Sequence, residues 1–135
     1  MSHRLYQAIA TRARHRCEYC RAPEEVFNQE FEVDHVVPQA SGGADDFANL
    51  ALACRSCNLR KGTAQRARDP EAGQIVPLFN PRTDDWGEHF AVDLDSFRIE
   101  GLTAEGRASV RRLGLNRKVQ VDARRLWISR LLIGF

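Results

Sequence analysis

No apolar run in this chain approaches the roughly 20 residues that a helix needs to cross a bilayer, which excludes a helical membrane span. The opening segment, MSHRLYQAIATRARHR, lacks the uninterrupted apolar core of a secretory leader, so the expected location is the cytoplasm. A large excess of charge of one sign is missing as well. Twenty basic and 18 acidic residues leave a net charge of +2, so bulk charge makes no case for a polyanionic partner. Internal repeats and low-complexity tracts are missing, which excludes a repeat array. Cysteine is limited to four residues, and a reducing compartment argues against joining them as disulfides.

What is present suits one compact folding unit with an appended subdomain: 135 residues, 43% of them hydrophobic. The expected division is a core over residues 1–66 and a β/helical extension over 67–135 packed on the same domain. Charge is distributed unevenly. From Gly101 to Phe135 there are eight basic residues (Arg107, Arg111, Arg112, Arg117, Lys118, Arg124, Arg125, Arg130) against Glu105 and Asp122. This is a face that could meet phosphate, although an ordinary solvated helix face explains the same excess.

Ser2 can cap a helix in which Leu5, Ala8, Ile9 and Ala13 recur at helical spacing, a lid or brace that ends near the Arg12-Arg14-Arg16 run. Phe31, Val33, His35 and Val37 mark a strand that Pro38 terminates, and Ser41-Gly42-Gly43 marks a loop. Leu50-Ala-Leu-Ala53 reads as a return strand, and Cys57-Asn-Leu-Arg-Lys61 as the opening of a helix closed near Gly62. Gln74 to Phe79 reads as a connector after breaks at Asp69-Pro70 and Gly73. Glu88–Asp95 and Phe97–Leu102 are expected as two short strands. Thr103 can cap a helix over Ala104–Leu113, and a last helix begins near Asn116. Its apolar stripe, Val119, Ala123, Leu126, Trp127 and Leu131, is expected to pack in the core.

Two Cys-x-x-Cys pairs, Cys17/Cys20 and Cys54/Cys57, are separated by 33 intervening residues. A two-residue gap lets both thiolates of a pair turn toward one ion, and two such knuckles complete the tetrahedral sulfur shell that zinc accepts. A closed four-sulfur shell leaves no position for substrate, so this zinc is expected to be structural. The bland alternative is a redox dithiol or a pair of disulfides.

Between the knuckles lies Glu32-Val-Asp-His-Val-Val-Pro-Gln-Ala-Ser-Gly-Gly43, then Asn49, then Cys54-Arg-Ser-Cys-Asn-Leu-Arg-Lys-Gly62. The Asp-His-x-x-Pro segment, the Gly-Gly loop, Asn49 and Cys-x-x-Cys-Asn-x-x-Lys-Gly closely resemble the HNH endonucleases. Pro77-Leu-Phe-Asn-Pro-Arg82, Trp86, His89-Phe90 and Gly106-Arg107 look like the tail of stand-alone bacterial members. The resemblance implies an α+β fold: a ββα-metal (His-Me) finger stapled by the four-cysteine zinc site, with an N-terminal helix and a C-terminal β-hairpin plus two helices. It also implies that the Asn49 region fixes the loop, and that a backbone carbonyl there holds His35 in the useful tautomer.

Cutting a phosphodiester requires an activated water, a Lewis acid at the phosphate, and stabilisation of the leaving oxygen. Asp34 and Asn58 offer oxygen ligands to one divalent ion. His35 suits a general base, because neutral imidazole accepts a proton near pH 7. Lys61, three residues past Asn58 on the same helical face, is placed to contact phosphate. The residue at the family's final histidine position is Asn58, and no histidine follows within the next turn. An oxygen-rich site favours Mg(II) or Mn(II) over Zn or Ni.

In an ideal strand Asp34 and His35 point to opposite faces, so the strand must twist, bulge or end there. His3, His15 and His89 receive no role, and Trp86 and Trp127 are expected as core anchors. The expected partner is nucleic acid, double-stranded DNA first, with no membrane; oligomeric state is not legible. The rivals are a zinc-dependent nucleic-acid-binding module without turnover and an RNA-directed nuclease sharing the same site.

Overall fold

The computed structural model describes residues 3–131. Ser2, expected to cap the first helix, lies outside them. The fold mixes short strand pairs with helices, and it divides into two compact units. The first comprises residues up to Gln65 together with Asn80–Thr83, and the second Arg66–Phe79 with residues from Asp84 on. Among the described residues no helix is long and apolar enough to cross a membrane.

In the first unit, helix α1 (Tyr6–Arg12) buries Tyr6, Ile9 and Ala10; of the expected stripe Leu5, Ala8, Ile9 and Ala13 only Ile9 is buried, and Ala8 is exposed. Leu5 occupies the cap position and provides no side-chain hydrogen bond. At the other end, Arg12 fastens the helix to the chain: its guanidinium donates to the carbonyls of Phe47 and Leu50 and lies 3.9 Å over the Phe47 ring.

Strand β1 (Glu32–His35) pairs antiparallel with β2 (Leu50–Ala53), in the register Glu32↔Ala53 to His35↔Leu50. The Val36 amide still donates to the Asn49 carbonyl at 2.9 Å before Pro38 ends the pairing. All four β2 residues are buried, as the uninterrupted apolar run requires. Helix α2 (Arg55–Lys61) follows at once. Cys54 caps it, with Sγ accepting the Cys57 amide, and Gly62 closes it.

The loop between the strands depends on both glycines of Gly42-Gly43. Gly42 takes φ of +90°, and a Cβ on Gly43 would stand 1.7 Å from the Val37 carbonyl oxygen.

The second unit opens with a hairpin: β3 (Arg66–Arg68), where the sequence predicts no element, pairs with β4 (Ile75–Pro77), which lies inside the expected connector Gln74 to Phe79. Arg66-Ala67-Arg68 carries no apolar alternation, so nothing local marks it as a strand. The expected strand from Glu88 begins instead as a helical turn, α3 (Trp86–His89), and becomes β5 (Phe90–Val92), paired with β6 (Ile99–Gly101). Thr103 caps α4 (Ala104–Leu113) by accepting the Gly106 amide at 3.0 Å, and Gly114 in the left-handed region ends it.

The last helix, α5 (Lys118–Leu131), corrects the expected stripe. Val119 is 64% and Leu126 59% exposed, Ala123 is exposed too, and of the described members only Trp127 is buried. The Leu131 side chain lies outside the described set. Burial instead follows Arg124, 1% exposed, whose guanidinium donates to the Phe97 and Leu115 carbonyls at 2.7 and 2.8 Å. An arginine that closes off buried carbonyls can occupy the inward face of a helix. Arg124 therefore drops out of any phosphate-facing surface, while Arg111, Arg112, Arg125 and Arg130 are exposed.

Asp69 is fully buried and receives a two-pronged hydrogen bond from Arg107, at 3.0 and 2.7 Å. That bond, more than burial opposes it, lowers the carboxyl pKa to about 2 from 3.8. A depressed carboxyl pKa contributes stability above the unfolded value, and the contribution disappears as pH falls through the folded one. The difference in melting temperature between wild type and Asp69→Asn should be full above about pH 5 and close toward about pH 2. A gap independent of pH over that range would show that the charge is not what stabilises this corner.

Candidate active site and metal centre

Cys17, Cys20, Cys54 and Cys57 are all buried and unbridged, and their sulfurs lie within 4.8 Å of one another. Cys20 and Cys54 Sγ stand 3.8 Å apart, the separation of about 3.8 Å expected between sulfurs of a tetrahedral shell with Zn–S near 2.3 Å. In each knuckle the second cysteine's amide points at the first sulfur, Cys20 to Cys17 at 3.5 Å and Cys57 to Cys54 at 3.4 Å.

Burial opposes charge on Cys17, but hydrogen bonds from the other three thiols hold it well below the usual thiol range. Cys54 and Cys57 are pushed far up, chiefly through their bonds to Cys17. A divalent ion held by the four sulfurs would end that competition by favouring thiolate at each of them. The donor set fits zinc.

The second knuckle leads directly into α2, so Asn58 and Lys61 take their positions from the cysteine that precedes them. Lys61 is 2% exposed and its ammonium lies 3.3 and 3.2 Å from the Asp34 carboxylate oxygens and 3.2 Å from the His35 carbonyl. Asp34 is itself 5% exposed and also accepts the Tyr19 hydroxyl at 2.6 Å. Burial pushes the Asp34 carboxyl up, and the Lys61 ammonium and Tyr19 hydroxyl pull it part of the way back.

Removing one partner of such a pair strands a buried charge. Lys61→Met should cost about 3–5 kcal/mol, read by urea unfolding of the zinc-loaded protein, with Asp34→Asn recovering part of the loss. A cost under about 1 kcal/mol would mean that the pair is solvated.

His35 takes different neighbours from Asp34. Its Nε2 lies 2.8 Å from Asp45 Oδ1, and the same oxygen is 2.6 Å from His3 Nε2. The strand pairing is regular through His35 and continues in the Val36–Asn49 bond, so neither a bulge nor a strand end separates the adjacent pair, and the two side chains take separate partners, Asp34 with Tyr19 and Lys61 and His35 with Asp45. Asp34, His35 and Asn58 all line one open cleft, with Pro38, Gln39 and Thr63 among its other walls.

Asn58 donates its amide nitrogen to Glu32 Oε1 at 2.6 Å, which leaves its oxygen out of that bond. Glu32 also meets Arg55 at 2.8 Å. Asn49 fastens the loop: its oxygen accepts the Val37 amide and its nitrogen donates to the Val37 and Ala44 carbonyls, each at 2.9 Å.

Sequence reasoning missed Asp45, His3, Glu32 and Tyr19. Asp45 follows the Gly-Gly loop by two residues and Glu32 precedes Asp34 by two on the same strand, which were usable signals; His3 and Tyr19 come from more distant segments. His15 and His89 have local partners, Glu24 at 2.7 Å and Thr103 at 2.6 Å. Arg82, inside the tail-like segment, pairs with buried Glu18, whose other oxygen accepts the Leu52 amide at 2.8 Å.

Residues 17–64 match the family model described as HNH endonuclease, so the resemblance read over Cys17–Gly62 is borne out in that segment. The Septu protein PtuB of Bacillus thuringiensis is 27% identical over 129 residues, covering 94% of this chain and 45% of that protein. The chain thus spans about half the length of this curated relative, with 45% of it matched. No solved structure matches significantly.

Proposed function

We propose that this chain is a metal-dependent endonuclease that hydrolyses phosphodiester bonds, with double-stranded DNA as the substrate and His35 as the general base. One observation carries the reading. Asp34, His35 and Asn58 line a single cleft inside the segment that matches an endonuclease family. An imidazole beside two oxygen donors is what hydrolysis of a phosphodiester needs.

Asp34 and Asn58 would hold Mg(II) or Mn(II), which supplies Lewis-acid stabilisation of the leaving 3' oxygen when bound. His35 removes the proton from the attacking water. Asn49 keeps the loop at a fixed distance from β1. Lys61 is the counter-charge that favours an ionised Asp34, and its burial sets it apart from the phosphate contact expected of it. Exposed Arg111 and Arg112 are candidates for duplex docking, and charge reversal at both should weaken binding and reduce its salt dependence.

The contacts of Asp34 with Lys61 and Tyr19 favour a second reading, a zinc-dependent nucleic-acid-binding module without turnover, because a neutralised carboxylate is a poorer cation ligand. Incubation of supercoiled plasmid with protein in Mg(II), Mn(II), Zn(II), Ni(II) or chelator separates the readings. The nuclease reading expects Mg- or Mn-dependent products whose 5' phosphates permit ligation. Cleavage on Zn or Ni alone would refute the oxygen-ligand assignment, and binding without cleavage in any ion would favour the module. Parallel reactions on single-stranded RNA separate the two nucleic acids.

A further inference from the structure

We propose that Asp45, locked in place by His3, is a positioning residue that fixes the tautomer of His35 and so selects Nδ1 as the nitrogen that takes the proton from water. This rests on the reading of His35 as a general base.

The geometry supports it step by step. The Leu5 amide, which can only donate, lies 3.0 Å from His3 Nδ1. That nitrogen must accept, so the hydrogen of His3 sits on Nε2 and points at Asp45 Oδ1, 2.6 Å away. Arg4 donates to the Asp45 backbone carbonyl at 2.7 Å and approaches the other carboxylate oxygen at 3.5 Å. The carboxylate is thus held by two neighbours before His35 is considered.

His35 Nε2 stands 2.8 Å from the same oxygen. A carboxylate oxygen carries no hydrogen to give, so His35 Nε2 must carry one. Neutral imidazole has a single lone pair, which is then on Nδ1. When Nδ1 takes a proton, the imidazolium remains hydrogen-bonded to a carboxylate. The family resemblance assigned this task to a backbone carbonyl near Asn49; a carboxylate does it with a full negative charge.

The three donor atoms also lie within 4.8 Å of one another, a spacing that a metal ion could use. The Leu5 amide argues against that occupant. A histidine bound through Nε2 must carry its hydrogen on Nδ1, where it would face the N–H of Leu5. The rings, 6.2 Å apart at 67°, converge on one oxygen as two donors.

The test pairs a spectroscopic readout with kinetics on the zinc-loaded full chain. Nitrogen-15 NMR of the histidine rings should show hydrogen on Nε2 of both His3 and His35 in wild type. Asp45→Ala should release His35 to a mixture of tautomers. On plasmid, Asp45→Ala should lower kcat by about 100-fold or more while KM changes less than about threefold. Asp45→Asn, which keeps an acceptor oxygen without charge, should fall between the two.

One zinc per chain in each variant certifies the fold. A His35 resonance with hydrogen on Nδ1 in wild type would overturn the proposal, as would an unchanged kcat in zinc-loaded Asp45→Ala. If wild type cleaves nothing, the nuclease reading fails and the NMR result alone decides whether Asp45 sets the tautomer.

Discussion

Stripping the zinc with a chelator, or replacing Cys57 with serine, is expected to unfold the first unit. The cysteines hold together segments that the chain itself does little to join. Cys17 and Cys20 end the link from α1, whereas Cys54 caps α2 directly after β2 and Cys57 lies in the first turn of that helix, and all four sulfurs are buried. A structural zinc of this kind contributes apparent binding free energies of about 10–16 kcal/mol, which exceeds the stability of most domains of this size.

The expected readout is loss of far-UV circular dichroism and of slow amide exchange in β1, β2 and α2 at one equivalent of metal removed. Cleavage should be lost in the same step, although a closed four-sulfur shell would leave zinc no open position for chemistry. Asn58 follows Cys57 directly, so the ion sets the helix that presents it. A stripped protein that still cut plasmid in Mg(II) would show that the cysteine site and the cleft are independent.

The second large effect concerns His35. Its backbone sits in the ladder opposite Leu50, and its side chain is 23% exposed, so His35→Ala removes a ring without opening a core cavity. Stability should change by under about 1 kcal/mol, while cleavage should fall by about 100- to 10,000-fold, the usual loss on removing a general base. Lys61→Met reverses this pattern, with a large stability cost. The two variants together separate what supports the cleft from what acts in it.

Those expectations come partly from sequence and partly from approach in space. The cysteine pairs were legible because sulfur ligation depends on local spacing, and Asn49 because its loop role is carried by nearby partners, Val37 and Ala44. The run Leu50-Ala-Leu-Ala53 was legible as a buried strand from its composition.

His3 was not legible, since nothing near it announces that a loop 42 residues later will bring Asp45 to its ring. Tyr19 was hidden for the same reason: its hydroxyl reaches an aspartate 15 residues on, across the knuckle. The face of α5 was misread because a periodicity argument ranks Leu126 above Arg124. The helix instead buries the arginine that can satisfy two carbonyls. The β3 strand escaped because its pairing depends on Ile75-Val76-Pro77 and not on its own residues.

The central claim is that His35 is the base of a metal-dependent nuclease whose zinc is only structural. Its most direct test is plasmid cleavage by wild type and His35→Ala, purified identically and each carrying one zinc per chain, in Mg(II) or Mn(II). The account predicts nicked and linear products from wild type and almost none from the variant. Equal nicking by both would contradict it.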